Sequence, residues 1–210
     1  MAAVLDSVRA LFAPKIDTAF LIDRENPGDV LARERLLDAA MGPNRRRKSS
    51  ETIRRHRVPA EGLALVARDA SGHVIATVRL WNIQAGITPA GRAVPALLLG
   101  PLAVDPAHEG QGIGGALMRA AILEAKKSGH GAILLVGDPD YYERFGFSAL
   151  KAKTLMMPGP FERHRFLGLE LTEGWLKGAA GVIVPTGRRL SCPSEGTTPW
   201  PQAPRTSAGY

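Results

Sequence analysis

The most ordered hydrophobic pattern of the chain lies between residues 97 and 125. An apolar stretch at residues 97–104 is followed by a glycine-rich stretch, and then by a segment with apolar residues at helical spacing. This order predicts a strand, a loop and a helix. Gly100 and Pro101 interrupt the strand. Because proline has no N–H to donate, we expect a bulge or a splay of the sheet at that point.

The pattern around this central unit predicts strands and helices in mixed order. Residues 63–68 and 73–81, joined by a turn that ends at Gly72, predict a β-hairpin. Residues 86–95 predict a loop, and residues 132–136 predict a buried strand. Because a helix joins this strand to the central one, we expect the two strands to be parallel. Further strands are predicted at 20–22, 155–157 and 166–171, and helices at 30–41 and 141–145.

Composition indicates one globular domain. The chain has 210 residues, of which 45% are hydrophobic, and none of its apolar runs is long enough to span a bilayer. We expect a single domain over residues 1–184 and a loosely ordered tail over residues 185–210, which are rich in Pro, Ser and Thr. The start of the chain lacks the apolar core of a signal peptide. The expected location is therefore the cytoplasm, with no membrane partner.

Cysteine and histidine are too sparse for a metal site or a disulfide. The single cysteine, Cys192, lies in the tail. The five histidines do not occur at the close spacings of zinc ligands. We expect no metal.

The net charge of +7 favours anionic ligands. Much of the excess lies in two basic runs, at residues 45–48 and 54–57. A nucleic-acid surface would interleave aromatic residues with these charges, and none is present, so we do not expect a nucleic-acid partner. A solvated face is the favoured interpretation of the basic runs, and contact with an acidic ligand or substrate is the alternative.

Four of the six residues from 110 to 115 are glycines. Glycines at a helix start let the backbone approach a ligand, and the free N–H groups of the first turn attract an anion. We therefore favour a phosphate cradle over a plain strand-to-helix connection. The absence of Gly-Lys-Ser/Thr excludes a P-loop. The glycines also fit the dinucleotide pattern G-x-G-x-x-G, but residues 105–109 separate them from the strand, which makes that match weak.

Three segments in this order resemble the GCN5-related N-acetyltransferase (GNAT) family. They are Leu-Ala-Val at 102–104, Glu-Gly-Gln-Gly-Ile-Gly at 109–114 and Tyr-Glu-Arg-Phe-Gly-Phe at 142–147. The family's loop is Gln or Arg followed by x-x-Gly-x-Gly or Ala, and its next helix carries Tyr-x-x-x-Gly-Phe. Over residues 18–184 the pattern looks like the YhbS-type branch of predicted acetyltransferases. The resemblance implies an α+β fold whose mixed central sheet is splayed in the middle and flanked by helices.

The same resemblance implies that acetyl-CoA binds in the splay as co-substrate. The pantetheine arm is expected along the backbone of Leu102 and Val104, with a backbone N–H near Leu102 or Ala103 polarising the thioester carbonyl. Glu109 stands where the family has Gln or Arg, and a carboxylate beside a pyrophosphate is expected to weaken binding unless it points away. The implied cofactor-binding residues are Leu102, Ala103, Val104, Glu109, Gly110, Gln111, Gly112, Ile113, Gly114 and Gly115.

The implied reaction is direct attack of a neutral amine, on a small molecule or a peptide, on the thioester in a ternary complex. Tyr142 matches the family's tyrosine that protonates the departing thiolate, and the alternative is a packing role. Tyr141 is the weaker candidate, because adjacent helical residues point about 100° apart. Asp138 is a candidate general base, although a helix N-cap is the favoured interpretation of this residue.

Arg79 and Trp81 are candidate contacts for an acidic or aromatic acceptor, although a tryptophan in a strand is more often part of the core. Two other functions stay open. One is a catalytically silent CoA-binding or sensing module with an acidic or nucleic-acid partner. The other is a dinucleotide oxidoreductase, which NADH binding would support. A homodimer is the assembly to test for, because dimers are the commonest oligomers.

Overall fold

The computed structural model describes residues 20–47 and 49–190. The expectations for the start of the chain and for residues 191–210, including Cys192, lie outside the described residues. The helices are α1 (Val30–Met41), α2 (Ser49–Arg54), α3 (Ile113–Lys127) and α4 (Pro139–Tyr142). The strands are β1 (Phe20–Arg24), β2 (Ala64–Asp69), β3 (Val74–Ile87), β4 (Ala93–Val104), β5 (Ala132–Val136), β6 (Leu155–Met156), β7 (Phe166–Glu170), β8 (Gly181–Val182) and β9 (Val184–Pro185).

The main sheet is mixed and mostly antiparallel. Its strands follow the order β1-β2-β3-β4-β5-β7, and β9 pairs with β3. Within this sheet only β4 and β5 are parallel, as predicted for two strands joined by a helix. Helix α3 packs in the core on one face, and α1 contacts β3 and β4 from the other. The architecture is α+β, as expected.

The predicted interruption at Gly100–Pro101 is present as a β-bulge. On β3 the register advances from Val78 to Leu80, while on β4 it advances from Leu99 to Leu102, so β4 contains one extra residue. A one-residue insertion moves the following side chains to the opposite face of the sheet. The bulge therefore sets which β4 side chains face α3.

The β4 side chains that face the core around α3 are odd-numbered before the bulge and even-numbered after it. Leu97 and Leu99 belong to the core that contains α3, and after the bulge Leu102 and Val104 pack against the same core. Ala103 instead packs with residues of α1. The bulge thus places a small side chain beside α1 and keeps larger ones on α3.

The sheet is also splayed at this point. β4 pairs with β5 only through Leu97↔Ile133 and Leu98↔Leu134, although β4 continues to Val104. In the described part of the chain, no strand pairs with the β5 side of β4 beyond Leu98. The end of β4 therefore borders a gap in the sheet.

The predicted loop at residues 86–95 is too long at both ends. β3 extends to Ile87 and β4 begins at Ala93, so only a short turn separates them. Gly86 has φ +66°, and a Cβ built there would lie 2.2 Å from the carbonyl oxygen of Ala180. The glycine at position 86 permits the close approach of a neighbouring backbone. A local sequence pattern does not distinguish this use of glycine from its use in a loop.

The chain stays packed beyond the expected domain boundary at residue 184. Val184 and Pro185 form β9, and the N–H of Leu190 donates to the carbonyl of His56. The packed part of the chain therefore reaches residue 190. Across residues 20–47 and 49–190, every helix is too short or too polar to cross a membrane.

Candidate functional site

A cleft of about 680 Å³ lies where the sheet is splayed, beside the N-terminus of α3. Nine of the ten residues expected to hold the cofactor line it. These are Leu102, Ala103, Val104, Glu109, Gly110, Gly112, Ile113, Gly114 and Gly115. The tenth, Gln111, is exposed and is not part of the lining. Segments far apart in sequence thus meet at one place.

The start of α3 presents free backbone donors to this cleft. Gly112 is the N-cap residue with φ +78°, a left-handed conformation that favours glycine. The N–H of Ala116 donates to the carbonyl of Gly112. The N–H groups of the three preceding residues, 113–115, therefore have no acceptor within the helix. Together with the helix dipole, they form a site that attracts an anion.

Close packing at Gly114 keeps this site narrow. A Cβ built on Gly114 would lie 3.0 Å from the hydroxyl oxygen of Tyr141 and 3.3 Å from Cγ2 of Val104. Tyr141 therefore approaches the helix start. Its ring also lies under the guanidinium of Arg144, whose central carbon is 4.0 Å from the ring centroid.

The ring of Tyr142 packs edge-on against that of Tyr141, with centroids 4.9 Å apart, and lies against Gly137. A Cβ on Gly137 would lie 2.1 Å from Cε2 of Tyr142, so the ring position requires glycine there. The ring also packs edge-on against Phe147, with centroids 6.0 Å apart, and it lines the cleft. Burial, with a smaller effect from Tyr141, raises the pKa of Tyr142 to about 12. Near pH 7 the phenol therefore keeps its proton.

Asp138 is the N-cap of α4. Its carboxylate accepts a hydrogen bond from the N–H of Asp140 at 3.2 Å, and the residue is exposed at the edge of the cleft. The favoured prediction for this residue, an N-cap, is confirmed.

The cleft also contains cationic side chains that the sequence reasoning did not select. These are Arg144 and Arg165. The imidazole of His108 also lines the cleft. Nε of Arg165 donates to the carbonyl of Gly137 at 3.4 Å. Arg144 lies two residues after Tyr142, so the motif itself contained a signal for it. Arg165 reaches the cleft only because β7 pairs with β5, a long-range contact that no local pattern indicates.

A second cavity, of about 390 Å³, adjoins the cleft. Met41 borders both cavities, and Pro101 lines the second one next to Leu102 of the first. Arg79 and Trp81 line the second cavity as well. The two cavities thus meet at the β4 bulge.

The two candidate acceptor contacts in this cavity are already engaged by the protein. Trp81 is only 5% exposed, and its indole N–H donates to the carbonyl of Gly100 at 2.5 Å. Arg79 donates through Nε to Glu25 at 2.7 Å. Trp81 is therefore a core residue that also holds the bulge, and Arg79 lines the cavity as half of an ion pair.

The basic runs are not a uniformly solvated face. Arg45 pairs with Glu34 and with Asp38, and its side chain is 10% exposed. The side chain of Arg54 is also 10% exposed, whereas that of Arg46 is 68% exposed. Part of the basic segment is thus built into the wall of the second cavity.

Within the described ranges, no cluster of three or more His, Cys, Asp or Glu residues is arranged to hold a metal ion.

Comparison with known proteins connects this geometry to one family. A family model described as an acetyltransferase (GNAT) domain matches residues 60–149. The uncharacterized N-acetyltransferase YhbS of Escherichia coli strain K12 is 30% identical over 121 residues, which cover 58% of this chain and 70% of YhbS.

Two solved structures share the fold at the same level of identity. The first is E. coli YhbS in complex with CoA, with a TM-score of 0.65 and 26% identity over 80% of this chain and 89% of that one. The second is a GNAT family acetyltransferase from Brucella melitensis in complex with acetyl-CoA. Its TM-score is 0.54 at 26% identity, over 72% of this chain and 87% of that one.

The raised pKa of Tyr142 predicts that its hydroxyl titrates at a higher pH than that of an ordinary tyrosine. We expect phenolate absorbance from Tyr142, isolated as the difference between the wild type and Tyr142→Phe, to develop around pH 12 instead of near pH 10. Because the folded state keeps this proton longer than the unfolded state, Tyr142 should lower stability as the pH rises from about 10 to about 12. Tyr141→Phe is the matched control, and circular dichroism at each pH verifies the fold. A difference titration centred near pH 10 in folded protein would contradict the burial of Tyr142.

Proposed function

The chain belongs to the GNAT family of acetyltransferases, and we propose that it transfers the acetyl group of acetyl-CoA to a primary amine by direct attack in a ternary complex. The observation that carries this proposal is the open splay between β4 and β5, with the free N–H groups of α3 at its edge. An extended thioester cofactor with a pyrophosphate needs both features: an open strand edge and an anion site.

The chain's own residues suit the parts of acetyl-CoA. The backbone of Leu102 and Val104, with no strand partner on the β5 side in the described residues, is available to the amide groups of the pantetheine arm. The N–H groups at the start of α3 suit the pyrophosphate. Arg144 and Arg165 add positive charge to the same cleft, which offsets the carboxylate of Glu109. Related structures that contain CoA or acetyl-CoA support CoA as the ligand.

In the proposed transfer, one covalent bond forms and one breaks. A nitrogen–carbon bond forms between the amine and the acetyl group, and the carbon–sulfur bond breaks with its electron pair leaving on sulfur. Tyr142 donates its phenolic proton to that sulfur, and the amine loses one proton to water. A backbone N–H near Ala103 polarises the acetyl carbonyl. Burial keeps Tyr142 protonated near neutral pH, so its phenol has a proton to donate as negative charge develops on the sulfur. Because a thiol has a lower pKa than this phenol, the phenolate that is left regains a proton from water.

A general base is not assigned to a side chain. Although burial alone would raise the pKa of Glu34, hydrogen bonds from Arg45 and Arg33 lower it to about 2, which makes this carboxylate too weak a base. The carboxylate of Asp138 is engaged as an N-cap. Water in the second cavity is the simplest acceptor for the amine's proton.

The single experiment that tests this function compares Tyr142→Phe with Tyr141→Phe. We expect Tyr142→Phe to bind acetyl-CoA with a Kd within about twofold of the wild type and to lose about 100-fold or more in kcat, because only the proton donor is removed. Binding is measured by calorimetry, with NADH as the control ligand. Turnover is measured as CoA thiol release with a panel of primary amines.

Other outcomes identify the other functions. A full rate in Tyr142→Phe together with a loss in Tyr141→Phe would assign the proton donor to Tyr141. Acetyl-CoA binding without turnover of any amine by the wild type would favour a silent CoA-binding module. Binding of NADH in place of acetyl-CoA would favour an oxidoreductase.

Glu109 generates a second prediction. Replacing this exposed carboxylate at the anion site with the family's glutamine should tighten acetyl-CoA binding by about two- to fivefold at low salt, and by less at high salt. Glu143→Gln, an exposed carboxylate outside the cleft lining, is the matched control and should change little. If the Kd of Glu109→Gln at low salt is unchanged or larger, the Glu109 side chain points away from the bound pyrophosphate.

A further inference from the structure

The second cavity has a strongly cationic wall. Six arginines and two glutamates line this second, arginine-rich cavity. The arginines are Arg45, Arg46, Arg54, Arg55, Arg57 and Arg79, and the glutamates are Glu34 and Glu51. A concave site lined by one sign of charge concentrates ligands of the opposite sign. Its volume of about 390 Å³ suits a small molecule.

Besides Arg54, carboxylates or carbonyls of the protein engage four of these arginines. Glu34 binds Arg45 and Arg46, and Glu25 binds Arg79. Arg57 donates to the carbonyl of Gly187 at 2.5 Å. Because the protein already holds these side chains in hydrogen bonds or ion pairs, they add positive potential to the cavity but offer a ligand few free hydrogen-bond donors.

Arg54 differs from these four. Its side chain is nine-tenths buried, and its Nη2 contacts Glu51 at 3.0 Å and Ser50 at 3.5 Å. Its Nε is buried without a hydrogen-bond partner among the described residues. Burial, together with nearby Arg45 and Arg79, lowers the pKa of Arg54, and Glu51 only partly offsets this. A buried guanidinium with an unsatisfied donor is stabilised by an oxyanion that accepts from it.

Arg54 also lies where the two cavities meet. Its Nη1 is 3.7 Å from the point where a side chain would begin on Gly100, the residue of the β4 bulge. Pro101, which follows, lines the arginine-rich cavity, and Leu102 lines the cofactor cleft. A molecule bound to Arg54 is therefore close to the point where the proposed reaction places the acetyl group.

We propose that the arginine-rich cavity is the acceptor subsite and that it takes a small primary amine which also carries a carboxylate or a phosphate, held by the guanidinium of Arg54. The assignment rests on the proposed acetyl transfer, which requires an amine beside the thioester. The planar guanidinium, whose Nη1 faces the bulge, can present Nη1–H and Nη2–H to two oxygens of one anion, a two-point contact that an amine without an anionic group cannot make. The anion then fixes the amine's position next to the bulge.

Matched pairs of amines test the subsite without needing turnover. β-Alanine is compared with β-alaninamide, and phosphoethanolamine with ethanolamine, by calorimetric titration of the full chain with and without CoA. In at least one pair, the anionic member should bind at least tenfold more tightly, as expected for a charge-assisted hydrogen bond. The pair that shows the preference identifies carboxylate or phosphate as the anion.

Variants assign the preference to Arg54. Arg54→Met should remove most of it, whereas Arg35→Met, which changes an exposed arginine of α1 outside both cavities, should leave it within about twofold. If Arg54→Met does not fold by circular dichroism, Arg54→Lys decides: a lysine keeps the charge but not the two-point contact, so the preference should fall at least threefold. Equal binding within both pairs, or a preference that the Arg54 variants retain, would overturn the proposal.

Release of CoA from acetyl-CoA separates this proposal from the one it rests on. Anion preference that depends on Arg54 without any CoA release removes the transferase function and, with it, the acceptor role, while leaving an anion site. CoA release with charged and neutral amines used equally removes the Arg54 subsite and leaves the transferase function.

Discussion

The bulge at Gly100–Pro101 is the constraint on which the rest of the site depends. It adds one residue to β4 between Leu99 and Leu102, directly beyond Leu98, the last residue of β4 that pairs with β5. A flat, fully paired sheet would leave neither an open strand edge nor a gap for a ligand. The indole of Trp81 holds the bulge through the carbonyl of Gly100, so a core residue maintains the opening. The cofactor cleft and the arginine-rich cavity both begin at this point.

The two cavities differ in the groups that would bind an anion. In the cleft, backbone N–H groups at the start of α3 provide the donors, and Arg144 and Arg165 add positive potential. In the arginine-rich cavity the donors are side chains, most of which the protein already engages. Tyr142 lies in the cleft as a buried phenol that keeps its proton near neutral pH. This arrangement matches a reaction that holds a phosphate-bearing cofactor on one side and its acceptor on the other.

Local patterns predicted those parts of the structure that depend on local interactions. The helix at 30–41, the strand at 132–136 and the bulge were visible because spacing, glycine and proline act within a few residues. The predicted loop at 86–95 begins too early because Gly86 lies in β3, where it permits a contact with Ala180, far away in sequence. Arg54 and Arg165 reach their cavities through tertiary packing, so the sequence showed their charge but not their place. The roles of Tyr142 and of the glycine loop stay predictions that the geometry supports.

A crystal structure of the complex with acetyl-CoA would test the central claim most directly, because that claim concerns where one ligand lies. We expect the pyrophosphate on the N–H groups of residues 113–115 and the acetyl carbonyl about 3 Å from a backbone N–H near Leu102 or Ala103. The acetyl group should face the arginine-rich cavity. A cofactor bound elsewhere, or an acetyl group turned away from that cavity, would contradict this account of the splay.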